Sequence, residues 1–183
     1  VVGQQHLLGE NGILRKIVAK KEPISLIFWG PAGVGKTTLS RIIAREVEAD
    51  FIEISAVTSG KKDIERVVER ARQNWNLGIR TVLFVDEIHR FNKSQQDAFL
   101  PHIESGLISL IGATTENPSF EIINPLISRS RVLTLKPLGD FDILEILTRA
   151  LSKISPKTKI DSDALELLIK ASGGDARSAL GTL

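Results

Sequence analysis

The chain of 183 residues contains no cysteine. Disulfides, thiolate metal sites and a cysteine nucleophile are thereby excluded, a composition that fits a reducing compartment. Histidine is scarce, and the three present fall in no metal-ligand spacing. No apolar run approaches the ~20 residues that span a bilayer, and the first residues lack the charged-then-apolar order of a secretory signal. The chain therefore reads as soluble and intracellular, with no membrane partner. Nor does one sign of charge dominate, since 24 Lys and Arg face 22 Asp and Glu, for a formal +2 and a pI near 9.0. A nucleic-acid partner has to be argued from local patches. The chain opens at Val1 without an initiator methionine and stops at Leu183 inside a helical pattern, which reads as a piece of a longer protein.

What is present is a hydrophobic content of 42%, enough for a core, arranged as alternating strand and helix signals. Short continuous apolar runs suit parallel strands buried on both faces. They fall at Ile24 to Trp29, Phe51 to Ser55, Thr81 to Val85, Leu107 to Ile111 and Val132 to Leu135. Between them, Leu39, Ile42, Ile43 and Val47 mark one helix, and Ile64, Val67, Val68, Ala71 and Trp75 a second that Gly78 ends. Ser94 with Asp97 suggests a capping box opening a third, which Pro101 should kink. After Pro137 only helical patterns remain. Phe141, Leu144, Ile146 and Leu147 mark one, and Ala164, Leu165, Leu167, Leu168 and Ile169 another, with a polar loop from Lys153 to Lys159 between them and a last helix opening near Asp175. The expectation is an α/β domain over residues 1–137, a five-stranded parallel sheet flanked by helices, followed by a small all-helical domain over 138–183.

Gly30, Pro31, Ala32, Gly33, Val34, Gly35, Lys36 and Thr37 fit GxxxxGK[ST], placed after a buried strand and before an amphipathic helix. In that context glycines let backbone N–H groups converge on phosphates, Lys36 reaches the β and γ oxygens, and Thr37 offers a hydroxyl to magnesium, with Thr38 beside it. Fifty residues on, a buried run leads into Asp86 and Glu87 at the edge of the sheet where ligands bind. Asp86 is expected to hold magnesium and Glu87 to align and deprotonate the attacking water. ATP and Mg2+ are the expected cofactors.

The adjacent acids and the helical appendage resemble the AAA+ class of P-loop ATPases, over nearly the whole chain. By that resemblance Val2, with Gly3 to Gln5, packs on the adenine. Thr115, or Thr114 as its alternative, occupies the sensor 1 turn in Gly112 to Thr115. Ser128 and Arg129 resemble the arginine-finger motif that reaches a neighbouring subunit's site, with Arg131 a competitor, and Arg177 in Gly174 to Arg177 resembles sensor 2. By spacing alone, Arg129 reads equally well as a surface arginine paired with a carboxylate. The run from Phe84 to His102, together with GATTENPSF from Gly112 to Phe120, resembles the RarA/MgsA group and its relative the Werner helicase-interacting protein. The resemblance implies a homo-oligomeric, DNA-dependent ATPase of replication-fork maintenance and recombination. Its partners would be single-stranded, forked or primed DNA and single-strand-binding or replisome proteins. It would lie in the cytoplasm on the nucleoid if bacterial and in the nucleus if eukaryotic.

His89, Arg90, Asn92 and Lys93 follow the acidic pair, where phosphate-binding side chains could report on hydrolysis. As a short polar cluster they read first as a solvated loop; with the resemblance, Arg90 and Lys93 become the DNA candidates. A nucleotide-gated scaffold and a clamp-loader-type subunit are the competing readings.

Overall fold

The five apolar runs become the strands of one sheet in the computed structural model, which describes residues 1–21, 24–154 and 160–183. They are β1 (Leu26–Trp29), β2 (Ala49–Ser55), β3 (Arg80–Asp86), β4 (Ser109–Thr114) and β5 (Arg131–Thr134), in the order β2-β3-β4-β1-β5. Every neighbouring pair is parallel. The helices are α1 (Gln5–Leu8), α2 (Ile13–Ala19), α3 (Lys36–Glu46), α4 (Lys61–Asn76), α5 (Lys93–Asp97) and α6 (Leu100–Glu104), then α7 (Pro118–Glu121), α8 (Asn124–Ser128), α9 (Asp140–Ile154), α10 (Ser162–Ser172) and α11 (Ala176–Thr182).

The alternation of strand side chains sorts the core into two layers. Phe28 and Phe84 join Leu39, Ile43 and Val47 of the α3 side on one face. Their neighbours Ile27, Leu83 and Val85 pack with Ile64, Val67 and Val68 of α4 on the other. Burying each such side chain fully is worth about 1.5–3 kcal/mol, so a strand with two apolar faces is stable only in the middle of three layers. A third cluster, Leu138, Ile143, Leu147 and Ala179, joins α9 and α11, with Leu165, Leu168 and Ile169 of α10 against it.

Several expectations change in detail. The third-helix box is closed by Asn92 and Gln95, not by Ser94 and Asp97: the Asn92 side chain accepts from Gln95 N–H at 2.9 Å and Asn92 N–H donates to Gln95 Oε1 at 3.0 Å. Pro101 does not kink a continuous helix. Helix α5 ends at Asp97, and the proline sits in the first turn of α6, where its missing N–H costs nothing. Trp75 is 58% exposed, Phe141 88% and Leu167 69%, while Ile143, which the expected face omitted, is buried. Strand β4 starts and ends later than expected and carries the backbone through to Thr114. In the expected polar loop, Lys153 and Ile154 belong to α9, and 155–159, like Pro23 before the first strand, lie outside the described residues. Among the described residues no helix is long and apolar enough to cross a membrane.

Candidate active site

Parallel pairing puts the last residues of β1, β3 and β4 on one edge of the sheet, with Trp29 opposite Thr114 and Ser55 opposite Asp86. The chain leaves β1 at Gly30, whose N–H donates to Thr114 O at 3.1 Å, and turns through the glycine loop into α3. Gly35 caps that helix with φ 97°, a conformation that a side chain would resist. Lys36 is buried beneath the loop, and its ammonium donates to Gly30 O at 2.7 Å and Pro31 O at 2.8 Å. Burial lowers its pKa below the usual lysine value; Glu87 and then Asp86 raise it, and Arg177 lowers it again.

One cavity of about 470 Å³ gathers these groups. Its polar floor is Gly33 to Thr38 with Asp86 and Glu87, Arg177 enters from α11, and Val1, Val2, Leu138, Ile146 and Leu180 form an apolar wall. Thus Ala32 to Thr38, Val2, Asp86, Glu87 and Arg177 share one space, while Gly30 and Pro31 lie behind it as partners of Lys36. Among the described residues no cluster of three or more His, Cys, Asp or Glu could hold a metal unaided.

Glu87 turns the end of β3 with φ 50° and ψ 47°, a left-handed conformation costing a non-glycine residue on the order of 1 kcal/mol. Its Oε2 lies 3.2 Å from His89 Nδ1, and Thr115 Oγ1 approaches it at 3.5 Å. The two threonines thereby separate in role. Thr115 is exposed and faces Glu87, whereas Thr114 is fully buried, 2.9 Å from His89 Nδ1 and bonded to the backbone of Glu116. His89, expected with the solvated loop, points inward with its side chain 7% exposed. Arg90 and Lys93 are exposed.

Arg129 lies elsewhere. It precedes β5, whose first residue pairs with Leu26, so it belongs to the opposite edge of the sheet, about 13 Å of strand away from the loop. There it donates to Glu104 Oε1 at 2.5 Å and to Pro125 O at 3.0 Å, the surface ion pair that spacing alone allowed. Arg131 stands beside it, with Lys16 of α2 and Lys20 just after that helix, around a second cavity.

Three contributions to the site lie outside the roles that the motifs assign. Gln4 fixes the first residues by donating to Lys136 O at 2.7 Å and accepting from Lys136 N–H at 3.0 Å. Asp175 caps α11, accepting from Arg177 and Ser178 N–H, and a Cβ on Gly33 would meet its Oδ1 at 1.7 Å. Leu138, Ile146 and Leu180 supply the apolar wall from the helical region. Only Asp175 carried a signal, as an N-cap residue type before a helix.

Residues 26–138 match the profile of the ATPase family associated with various cellular activities (AAA). Over 190 residues the chain is 52% identical to replication-associated recombination protein A of Escherichia coli (strain K12), covering 100% of this chain and 42% of that protein. ATPase WRNIP1 of Dictyostelium discoideum is 43% identical, over 100% of this chain and 21% of its own length. Thermotoga maritima RuvB, described as a Holliday junction branch migration motor, superimposes with a TM-score of 0.80 at 30% identity, over 98% of this chain and 60% of that one. The chain spans less than half the length of these two curated relatives. With well over half of its residues inside the family profile, and the glycine loop and paired acids meeting in one cavity, the chain belongs to the AAA family of ATPases.

Proposed function

We propose that this chain is the nucleotide-binding part of a DNA-dependent ATPase acting in replication and recombination, and that it hydrolyses ATP with Mg2+ at interfaces between copies of itself. The observation that carries the reading is the single cavity shared by the glycine loop, Asp86, Glu87 and Arg177. A triphosphate there lies against the loop N–H groups and the Lys36 ammonium, with the adenine toward Val2 and the apolar wall. Thr37 and Asp86 would hold Mg2+ through a hydroxyl and a carboxylate oxygen, the hard donors it takes. Among the described residues the Thr37 hydroxyl has no hydrogen-bond partner, which leaves it available. When bound, the ion would supply positive charge against that developing on the phosphates.

Glu87 then orients the attacking water and accepts its proton, Thr115 holds the same region from the end of β4, and Arg177 reaches the γ-phosphate from α11. The division into residues 1–137 and 138–183 gives this arrangement two bodies, a loop-bearing floor and a helical cover. Arg129, on the far edge, completes a neighbour's site, where a permanently charged guanidinium stabilises the transition state. Arg90 and Lys93 contact the phosphate backbone of DNA. These assignments extend to this chain what the names of its relatives say about replication, recombination and Holliday junctions.

Steady-state ATP turnover of the full-length protein, with and without forked DNA, tests the proposal. Glu87→Gln is expected to keep nucleotide affinity and lose turnover by about 100-fold or more, the scale of a general base. Parental turnover in that variant would sink the reading, and rates indifferent to DNA would favour a nucleotide-gated scaffold.

A further inference from the structure

The side chain that touches the Glu87 carboxylate most closely is an imidazole. We propose that His89 is a positioning residue for Glu87, fixing its carboxylate through Nδ1–H under the control of Thr114. The inference rests on the role given to Glu87 above.

Nδ1 carries at most one hydrogen, yet it stands 3.2 Å from Glu87 Oε2 and 2.9 Å from Thr114 Oγ1. With the hydrogen on Nδ1, the imidazole donates to Oε2. The Thr114 hydroxyl then turns to Glu116 O at 3.2 Å while accepting from Glu116 N–H at 3.0 Å. With the hydrogen on Nε2, Nδ1 accepts from the Thr114 hydroxyl instead. Its lone pair is then used, and the neighbouring Oε2 loses its donor and faces an electron-rich nitrogen. One set of heavy atoms therefore supports an arrangement that fixes Glu87 and another that releases it. With the His89 side chain only 7% exposed, bulk water has little access to Nδ1, which is left to these two oxygens, while the 30% exposed Glu87 carboxylate, once released, is free to turn to water.

The placement of Thr114 gives this choice a use. It is the last residue of β4, next to Thr115 and bonded through its carbonyl to Gly30 N–H at the start of the phosphate loop. On its other side His89 lies in the turn Ile88–Arg90, directly before the exposed Arg90. A displacement at either end changes which oxygen Nδ1 serves, and so whether the carboxylate is held for the water.

Turnover, KM and ADP affinity of the full-length protein distinguish the possibilities for His89→Ala, His89→Asn and His89→Gln, with Glu87→Gln as reference. His89→Ala is expected to lower kcat about 10- to 100-fold, the usual effect of removing a hydrogen-bond partner of a reactive group, with KM and ADP affinity within about twofold. In His89→Asn the amide N–H falls near the place of Nδ1 and kcat recovers to within about threefold of the parent; His89→Gln, which reaches the place of Nε2, recovers less. Parental kcat in His89→Ala, a change confined to KM, or an asparagine no better than glutamine overturns the inference. The asparagine and glutamine comparison decides it even if the alanine variant is too unstable to assay. Full turnover in Glu87→Gln would instead remove the role of Glu87 itself, whatever the His89 variants do.

Discussion

Lys36 is buried beneath the glycine loop, and that burial is the largest influence on its ammonium, lowering the pKa from the ordinary 10.5. Phosphate oxygens beside it favour the charged form. Nucleotide binding above the lowered pKa therefore takes up a proton, and affinity falls as the pH rises through that value toward 10.5. Below it, affinity should be flat as far as this group is concerned. The same shift has the opposite sign for folding without nucleotide: the unfolded lysine holds its proton more tightly, so stability rises over the same window. Titration with a fluorescent nucleotide across the alkaline range should show the decline in the parent and none in Lys36→Arg, whose guanidinium does not titrate. An equal decline in both would assign it to another group. His89 teaches a different lesson at this scale. Its residue type and position mark it only as polar, and what turns it inward is the left-handed Glu87 followed by a tight turn, neither of which has a sequence signature when the positive φ falls on glutamate.

Between elements, the glycine loop runs close against the start of α11, where Ala176 N–H donates to Gly33 O at 3.3 Å. A methyl group on Gly33 would overlap Asp175 Oδ1, and the residue also has φ +68°. Asp175 cannot yield freely, because it caps α11 by accepting from two N–H groups, a cap worth about 1 kcal/mol, and its displacement carries Arg177 with it. Gly33→Ala should therefore raise KM for ATP about tenfold. Adding Asp175→Gly, which relieves the overlap at a few tenths of a kcal/mol of capping, should recover part of the loss. Strictly additive effects in this double-mutant cycle would show that the two elements are uncoupled. The elements themselves were legible because central parallel strands need apolar residues on both faces and so announce themselves as runs. Their boundaries and faces were less so. Asn92 with Gln95 and Ser94 with Asp97 are overlapping boxes in one polar stretch, and the pattern alone does not choose between them; in the fold the first closes, just after the buried Phe91. Phe141 looks like a core residue until the packing of α9 on α11 selects Ile143 in its place, beside the expected Leu147.

For the molecule as a whole, the separation of Arg129 from the cavity on its own chain is the decisive fact. Strand direction alone keeps it at the far edge, so no side-chain rotation brings it to the phosphates, and the Glu104 carboxylate holds it meanwhile. Arg129→Ala should cost about 1,000-fold in turnover, the scale of such a guanidinium, with nucleotide affinity retained. Mixing it with Glu87→Gln should restore activity, because a mixed interface joins an intact Glu87 to an intact Arg129. If Arg129→Ala turns over at the parental rate, or the mixture is as inert as its components, the residue does not act across an interface. The sequence motif could name Arg129 but not exclude its acting on its own site; that exclusion needed the strand register.

The grip of Gln4 on both backbone groups of Lys136 reaches further than tethering the first residues. On the proposed division of the chain, it ties residue 136 to the α/β part, and any turning of the helical part would fall on the bonds between there and the start of α9 at Asp140. A pivot that short would work like the hinge of a box, with Val2 and Leu138 on the side of the joint and Asp86 and Glu87 at the end of the strand below it. If the helical part turns there, the grip on the nucleotide would change without moving the paired acids.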